Sequence, residues 1–144
     1  MKVRTMIAQK GERVLTIQAN ATIANAVEIL HAEKIGALVV SDDGVGVEGI
    51  LSERDVVRGL RKHGAALLDK PVSSFMTAPV KTCGMADDIQ DIMGQMTRSR
   101  IRHLPVVEDG KLRGMISIGD VVKNRLEELE AEANALRDYV TGRA

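Results

Sequence analysis

The first half of the chain alternates short apolar runs with apolar residues at helical spacing, and this order predicts a β-α-β-β-α unit. Short apolar runs between turn residues are typical of strands, whereas apolar residues three and four positions apart are typical of a helix. In chain order the pattern predicts a strand at 14–17, a helix capped by 20–22 with apolar residues 23, 26, 27 and 30, a buried strand at 37–40, a hairpin turn at 41–44, a strand at 47–51 and a helix from Glu53 onward.

The second half repeats this order, with segment 101–122 matching segment 35–57. Ser52 aligns with Ser117 and Asp55 with Asp120 at an offset of 65, while the preceding helices align at 66, so the first copy has one extra loop residue. The second copy predicts a strand at 80–82, a helix over 87–97, a strand at 103–107, a turn at 108–110, a strand at 112–116 and a final helix.

The repeat length determines how the two units must be organised. A unit of about 65 residues is small for a stable core of its own, so we expect an α/β (α+β) fold with both units packed pseudo-symmetrically and any sites duplicated. The expected boundaries are 1–62 for the first repeat, 63–79 for a linker with one helical turn around 72–76, 80–125 for the second repeat and 126–144 for a C-terminal helical extension.

The last helix carries an apolar stripe beyond the second repeat. Its residues alternate at spacings of three and four, as in the a and d positions of a coiled coil: Leu126, Leu129, Ala133, Leu136 and Val140. The stripe fits a helix that packs back on its own domain and, equally well, a helix that faces a partner in a homodimer.

Composition excludes several classes of protein. The 20 basic and 20 acidic residues cancel, so no general electrostatic attraction to nucleic acid or an anionic membrane is expected. No apolar run reaches membrane-spanning length, the N-terminus lacks signal-peptide features, and the single cysteine fits a reducing compartment, so we expect a cytoplasmic protein. Phe75 and Tyr139 are the aromatic residues of the chain, so aliphatic side chains would have to hold any bound base.

Motifs for catalysis and metal binding are absent from the sequence. No three Cys, His or acidic residues stand at metal-ligand spacing, and no nucleophile elbow, P-loop or Rossmann glycine set is present. We therefore expect a protein that is not an enzyme and has no metal site. No catalytic, transporter or DNA-binding domain accompanies the repeats, so we also expect a stand-alone sensor module.

The most informative polar pattern is Gly-x-x-Ser-x-x-Asp, which runs from Gly49 to Asp55 and again from Gly114 to Asp120. Ser-x-x-Asp at a helix start approximates a capping box, which is a purely structural role. The same residues at a helix N-terminus could also hold a phosphate through the hydroxyl and backbone N–H groups, and a ribose diol through the carboxylate. Occurrence of the pattern in both repeats favours a nucleotide site.

The tandem unit ending in this pattern resembles the CBS (cystathionine-β-synthase) domain pair, or Bateman module, of bacterial signal-transduction proteins. The resemblance covers about 14–62 and 80–125, with further family-like pieces at 75–77 and 98–106. It implies two clefts that bind adenosyl ligands such as AMP, ADP, ATP, NAD or S-adenosylmethionine. It also implies a disc-shaped homodimer formed by the helices around 26–30 and 92–96 and by those starting near 56–57 and 121–122.

The resemblance also implies roles for individual residues. Ser52 and Asp55 would serve one cleft, and Ser117 and Asp120 the other. The adenine pockets would be lined by Thr16, Ile17, Thr82 and Cys83, together with Gly36, Ala37, Leu38, Arg102, His103, Leu104 and Pro105. Arg98, Arg100 and Arg102 form a basic cluster that fits phosphate binding and a solvated helix end about equally. Gly36 and Ala37 of the first repeat correspond to Arg102 and His103 of the second, and Arg54 corresponds to Gly119. Because these equivalent residues differ in size and charge, the two clefts are expected to differ in ligand preference.

These observations predict a homodimeric sensor that binds an adenine nucleotide and reports energy or redox charge to an unidentified protein partner. The alternative is a structural interaction module whose signature residues are helix caps and whose clefts have no physiological ligand. An enzymatic role would need an acid-base set, and the symmetric pair Asp55 and Asp120 does not suggest one.

Overall fold

The computed structural model describes residues 1–142 and contains two similar α/β units. The five helices and five strands that we label are α1 (Val3–Lys10), β1 (Thr16–Ile17), α2 (Ile23–Glu33), β2 (Ala37–Val40), β3 (Gly49–Ser52), α3 (Glu53–His63), α4 (Ile89–Ser99), β4 (His103–Glu108), β5 (Lys111–Ser117) and α5 (Ile118–Val140). Segment 64–74 adds two 3₁₀ helices, Gly64–Asp69 and Val72–Ser74. The predicted α/β fold with two repeats and a long last helix is confirmed.

The first sheet has the order β1-β2-β3, with β1 parallel and β3 antiparallel to the central strand. All four residues of β2 are buried, as its continuous apolar sequence predicts. The core beneath this sheet also receives Leu67 and Val72 from the segment between the repeats. This segment is therefore packed against the first repeat instead of spanning open solvent.

The second sheet differs from the prediction because no strand forms at 80–82. Strands β4 and β5 pair antiparallel, and their parallel neighbour is reduced to a single bridge between Cys83 and Val106. In the first repeat, Val39 donates a backbone hydrogen bond to Leu15. Its counterpart at an offset of 66 is Pro105, which has no N–H to donate. The missing bond explains why the predicted strand is shorter here.

Helix α1 is an element that the hydrophobic pattern did not predict. Its buried residues Val3, Met6 and Ile7 lie in the core of the second repeat. The Val3 N–H donates to the Asp87 carbonyl at 2.9 Å, and the Ile89 N–H donates to the Met1 carbonyl at 2.9 Å. The core of the second repeat thus includes residues from segment 1–62, outside the expected range 80–125.

Helix α5 begins against the second repeat and then extends away from it. Val121 and Asn124 are buried, whereas Leu126, Leu129 and Leu136 are 58%, 44% and 64% exposed. The described part of the helix therefore does not pack its apolar stripe on its own domain, and that interpretation is wrong for this structure. Residues 143 and 144 of the predicted extension 126–144 lie outside the described residues.

Only some residues of the helix ranges expected in a dimer are exposed. Ala26, Leu30, Ile92, Met96 and Val121 are buried within the two repeats. The neighbouring residues Val27, Val57 and Val122 are exposed instead. Contacts with another copy would therefore use the second set of side chains.

Candidate ligand-binding clefts

Both Ser-x-x-Asp segments form complete capping boxes at a strand-to-helix junction. At the start of α3, the Ser52 N–H donates to Asp55 Oδ2 at 2.9 Å, and the Asp55 N–H donates to Ser52 Oγ at 3.4 Å. The corresponding distances between Ser117 and Asp120 at the start of α5 are 2.9 and 3.2 Å. The structural role considered for these residues is therefore real, and any ligand would bind to groups already fixed by it.

The glycine of each signature allows another segment to pass close to the strand. A Cβ placed on Gly49 would lie 2.6 Å from the Met76 sulfur, and one on Gly114 would lie 2.6 Å from Ile7 Cδ1. Real Cβ atoms essentially never approach that closely. These two close approaches bring residues 76–77 beside the first signature and helix α1 beside the second.

The first cleft has a volume of about 300 Å³ and lies between the two repeats. Its lining residues are Gly36, Ile50, Ser52, Glu53, Arg54, Asp55, Arg58, Thr77, Ser99, Arg100, Ile101, Arg102 and His103. Asp55 is 7% exposed and is held from three sides. In addition to the capping contacts, Thr77 Oγ1 donates to Asp55 Oδ1 at 3.2 Å, and an Arg58 nitrogen lies 3.9 Å from the same oxygen.

Positive charge dominates the first cleft. Its walls include Arg54 and Arg58 from the first repeat and Arg100 and Arg102 from the second, against the carboxylates of Glu53 and Asp55. The Arg54 guanidinium donates to the Arg100 carbonyl at 3.4 Å, which links the two sides. Arginine is well suited to bind phosphate oxygens in pairs, so this cleft favours an anionic ligand.

The second cleft, of about 420 Å³, is the pseudo-symmetric counterpart of the first. Its lining residues are Lys10, Arg13, Val14, Leu15, Glu33, Lys34, Ile35, Gly36, Ala37, His103, Met115 and Ser117. Each cleft combines the signature serine of one repeat with the segment before the central strand of the other. Residues 33–37 in the second cleft correspond to residues 99–103 in the first at an offset of 66.

A lysine of the chain itself binds the signature carboxylate of the second cleft. Lys10 Nζ donates to Asp120 Oδ2 at 2.6 Å and to the Met115 carbonyl at 2.7 Å. Partial burial raises the pKa of Asp120, but hydrogen bonds from Lys10 and Ser117 outweigh it and hold the pKa below its ordinary value. Asp120 therefore stays ionised and paired, and a ribose diol would have to displace Lys10.

His103 lies where the two clefts meet and lines both of them. Burial lowers the pKa of His103 most, and Lys10 and Arg102 lower it further, against the opposing effects of Glu53 and Asp120. The imidazole is therefore neutral at pH 7. A Cβ on Gly36 would lie 3.2 Å from His103 Cε1, so a larger residue at position 36 would press against the ring.

A third, more apolar cleft of about 700 Å³ lies beside helices α2 and α3 of the first repeat. Val27, Leu30, Val56 and Val57 are among its lining residues. The sequence did not predict this cleft, and its lining holds neither signature serine nor signature aspartate.

Seven of the residues predicted to bind a ligand do not line any of these clefts. They are Thr16, Ile17, Leu38, Thr82, Cys83, Leu104 and Pro105. Ile17, Leu38 and Leu104 are buried strand residues whose side chains face the cores, because buried strands place apolar side chains there. Burial, followed by the nearby Asp87, raises the pKa of the Cys83 thiol to about 12, so this cysteine is protonated and unreactive.

The remaining predicted residues are distributed between the first two clefts, with one exception. Ser52, Arg54, Asp55, Arg100 and Arg102 line the first cleft, Ala37 and Ser117 line the second, and Gly36 and His103 line both. Asp120 reaches the second cleft through its contact with Lys10. Sequence reasoning missed Arg58, Thr77 and Lys10, although Thr77 belongs to the family-like piece 75–77.

Two further features concern membranes and metals. Within residues 1–142, no helix combines the length and apolar character needed to cross a bilayer. The same residues contain no group of three or more His, Cys, Asp or Glu side chains placed to hold a metal ion.

Comparison with known proteins assigns the family. The model of the CBS domain matches residues 8–62 and again residues 72–127. The crystal structure of the CBS-domain containing protein ATU1752 from Agrobacterium tumefaciens has 46% sequence identity and a TM-score of 0.83, covering 87% of this chain and 99% of that chain. The mitochondrial CBS domain-containing protein CBSX3 of Arabidopsis thaliana is 34% identical over 125 residues, which are 84% of this chain and 61% of that protein.

A second similar structure contains adenosyl ligands. The CBS domain pair of protein MJ0100, in complex with 5′-methylthioadenosine and S-adenosyl-L-methionine, has a TM-score of 0.78 at 21% identity and covers 89% of this chain and 98% of that chain. At this identity the likeness concerns the fold. With two CBS domains matched in tandem and the same architecture in solved structures, the chain belongs to the CBS-domain family.

Proposed function

We propose that this chain is a cytoplasmic regulatory module, not an enzyme, that binds a phosphate-bearing adenine nucleotide in the first cleft and transmits its presence to a protein partner. AMP, ADP, ATP and NAD all have the required chemistry. The observation that carries the proposal is that Asp55 and four arginines from both repeats line the same cleft.

Ribose recognition would depend on Asp55. Ser52 and Thr77 orient its carboxylate, which has acceptor capacity left for the diol of a ribose. A charge-assisted hydrogen bond of this kind contributes about 1.5–3 kcal/mol. The sugar would then lie at the signature junction, between the two repeats.

The arginines favour phosphates over other adenosyl substituents. Arg54 and Arg58 come from the first repeat, and Arg100 and Arg102 from the second, so a phosphate chain would bridge the repeats. A ligand shifts a conformational equilibrium only when it binds one conformation more tightly than the other. A phosphate chain that bridges the repeats would bind more tightly to the conformation that holds the arginines of both repeats close together. S-adenosylmethionine carries a positive sulfonium and no phosphate, so it should bind this cleft weakly even though the MJ0100 domain pair is in complex with it.

A structural interaction module without a physiological ligand is the second candidate. The complete capping boxes favour it, because both signatures have a role in the fold without any bound molecule. Under this alternative, substitution of the signature residues would change stability and would have no ligand affinity to change.

Calorimetry on the full chain distinguishes the two candidates. ADP should bind, 2′,3′-dideoxy-ADP should bind about tenfold or more weakly, and S-adenosylmethionine should bind worse than ADP. Arg102→Gln should weaken ADP binding, whereas the matched control Arg13→Gln, in the second cleft, should leave it unchanged. Absence of binding heat and of a thermal shift with AMP, ADP, ATP, NAD and S-adenosylmethionine would exclude the nucleotide module and support the structural one.

A further inference from the structure

Helix α5 exposes an apolar stripe along most of its length. We define the α5 seam as its six residues at alternating spacings of four and three: Val122, Leu126, Leu129, Ala133, Leu136 and Val140. This spacing is that of the a and d positions of a two-stranded coiled coil, with Leu126, Ala133 and Val140 at a. None of the six is buried by the described chain, so another molecule is needed to cover them.

The charges beside the seam identify the occupant and its direction. Arg125 and Glu132 occupy g positions, and Lys123, Glu130 and Arg137 occupy e positions. In a parallel pair of identical helices, each g residue lies near the e residue five positions later on the other helix. Arg125 then meets Glu130 of the second copy, and Glu132 meets Arg137, so both pairs have opposite charges.

The antiparallel arrangement with full overlap is unfavourable. It would place Leu126 opposite Leu136 and Leu129 opposite Ala133 of the second copy, so the apolar layers would still match. The flanking positions would bring Glu130 against Glu130, Glu132 against Glu132 and Lys123 against Arg137, which are all like charges. Sliding one antiparallel helix by a heptad removes these repulsions but leaves two of the six seam residues without an apolar partner.

We propose that two copies of this chain associate through the α5 seams as a parallel, in-register coiled coil. The apolar layers provide the affinity, and the flanking charges select the direction, because each exposed ion pair contributes little to affinity. A parallel pair places the two second repeats side by side at one end of the assembly. This inference does not depend on nucleotide binding.

Disulfide trapping in the full chain tests the direction. In a parallel pair, positions 126 and 136 each face themselves, so Leu126→Cys and Leu136→Cys should each form a cross-linked dimer under mild oxidation. Ala131→Cys, on the opposite face of the same helix, is the matched control and should remain monomeric on a non-reducing gel. The buried Cys83 thiol does not compete, since its pKa is raised to about 12.

The other outcomes of this experiment overturn the proposal. Cross-linking that requires a mixture of the two leucine variants would show an antiparallel pair. Cross-linking at only one of the two positions would show a shifted register. No cross-link at either position, or equal cross-linking of Ala131→Cys, would show that the seam does not meet a second copy.

A charge exchange provides an independent measurement. Glu132→Arg brings two arginines together in the parallel pair and should raise the dimer dissociation constant about tenfold by analytical ultracentrifugation. Adding Arg137→Glu restores opposite charges and should return the constant to near the original value. Because both residues are exposed, the far-UV circular dichroism spectrum of each variant should match that of the parent chain. A double variant as weak as the single one would contradict the parallel pairing.

Discussion

Asp55 and Asp120 occupy equivalent positions in the two repeats and accept the same capping hydrogen bonds, yet their other neighbours differ. Asp55 also accepts a hydrogen bond from the Thr77 hydroxyl, in a cleft lined by four arginines. Asp120 accepts a hydrogen bond from the Lys10 ammonium. The residue that corresponds to Lys10 at an offset of 66 is Met76, which has no charge. Both repeats thus share the capping box, while the cation next to the carboxylate differs. Lys10 contacts Asp120 at 2.6 Å, whereas the Arg58 nitrogen beside Asp55 lies 3.9 Å away.

Substitution of the two aspartates should give the largest difference in ADP affinity between the two clefts. Asp55→Asn keeps a capping side chain but removes the charge that a ribose diol requires, so ADP affinity should fall about 10- to 100-fold. Asp120→Asn should leave the affinity nearly unchanged, since Lys10 already occupies that carboxylate. Calorimetry with both variants measures the difference. Equal affinities for Asp55→Asn and the parent chain would reduce Asp55 to a helix cap.

Removing the lysine should make the two clefts more alike. Lys10→Met keeps an unbranched chain but takes the ammonium from Asp120, so a second, weaker ADP site should appear in titrations. Lys2→Met is the matched control, because Lys2 forms an exposed ion pair with Asp88 at 3.3 Å outside the clefts. A stoichiometry that stays at one per chain with Lys10→Met would mean that the second cleft is closed for another reason.

Two helix ends offer a smaller and more selective test. Arg100 and Lys34 end helices α4 and α2 in the left-handed conformation, with φ of 54° and 55°, where glycine is favoured. Replacing either residue with glycine should raise the free energy of unfolding by about 1 kcal/mol. Arg100→Gly should also weaken ADP binding several-fold, whereas Lys34→Gly should not, because Lys34 lies outside the first cleft. Equal affinities for the two variants would remove Arg100 from the binding residues.

The smallest expected effect concerns His103, which the two clefts share. Its pKa is lowered in the folded chain, so the unfolded chain takes up this proton first as the pH falls. The contribution of His103 to stability is therefore complete above the ordinary histidine pKa of about 6.5 and is lost as the pH falls below it. Urea unfolding at pH 7.5 and 5.5 measures the acid loss, which is the decrease in the free energy of unfolding between these two pH values. The acid loss should be smaller for His103→Gln than for the parent chain.

The exposed His31 is the control for this measurement. Its side chain lies at the surface and outside the first two clefts, so His31→Gln tests whether the loss of any histidine has the same effect. An identical pH dependence in His103→Gln would contradict the assignment to His103. Bound ADP should reduce the acid loss, because a phosphate nearby favours the protonated imidazole.

The sequence predicts the fold well because the repeat is encoded in local patterns. The turn at 41–44 and the apolar run 37–40 specify a hairpin and a buried strand by themselves. The missing strand at 80–82 was predictable only from Pro105 in the neighbouring strand, which shows that a ladder depends on both partners.

The site was less predictable, since both clefts combine groups that are distant in sequence. Ser52 lies opposite residues 99–103, and Lys10 reaches Asp120 across 110 positions. No local pattern encodes which face of one repeat meets the other. Family resemblance therefore identified the signature residues but assigned Leu38 and Leu104 to the adenine pockets, where the structure has core side chains.

The position of helix α1 has a consequence for how the chain is made. Val3 pairs with Asp87, so this helix leaves the ribosome long before the strands and helices that it must contact. During synthesis the first repeat can acquire its core while Val3, Met6 and Ile7 have no place to pack. Contacts between residues so far apart in the sequence form slowly. Helix α1 thus reaches its native position only after residues that follow it by more than 80 positions, and it then completes the second repeat.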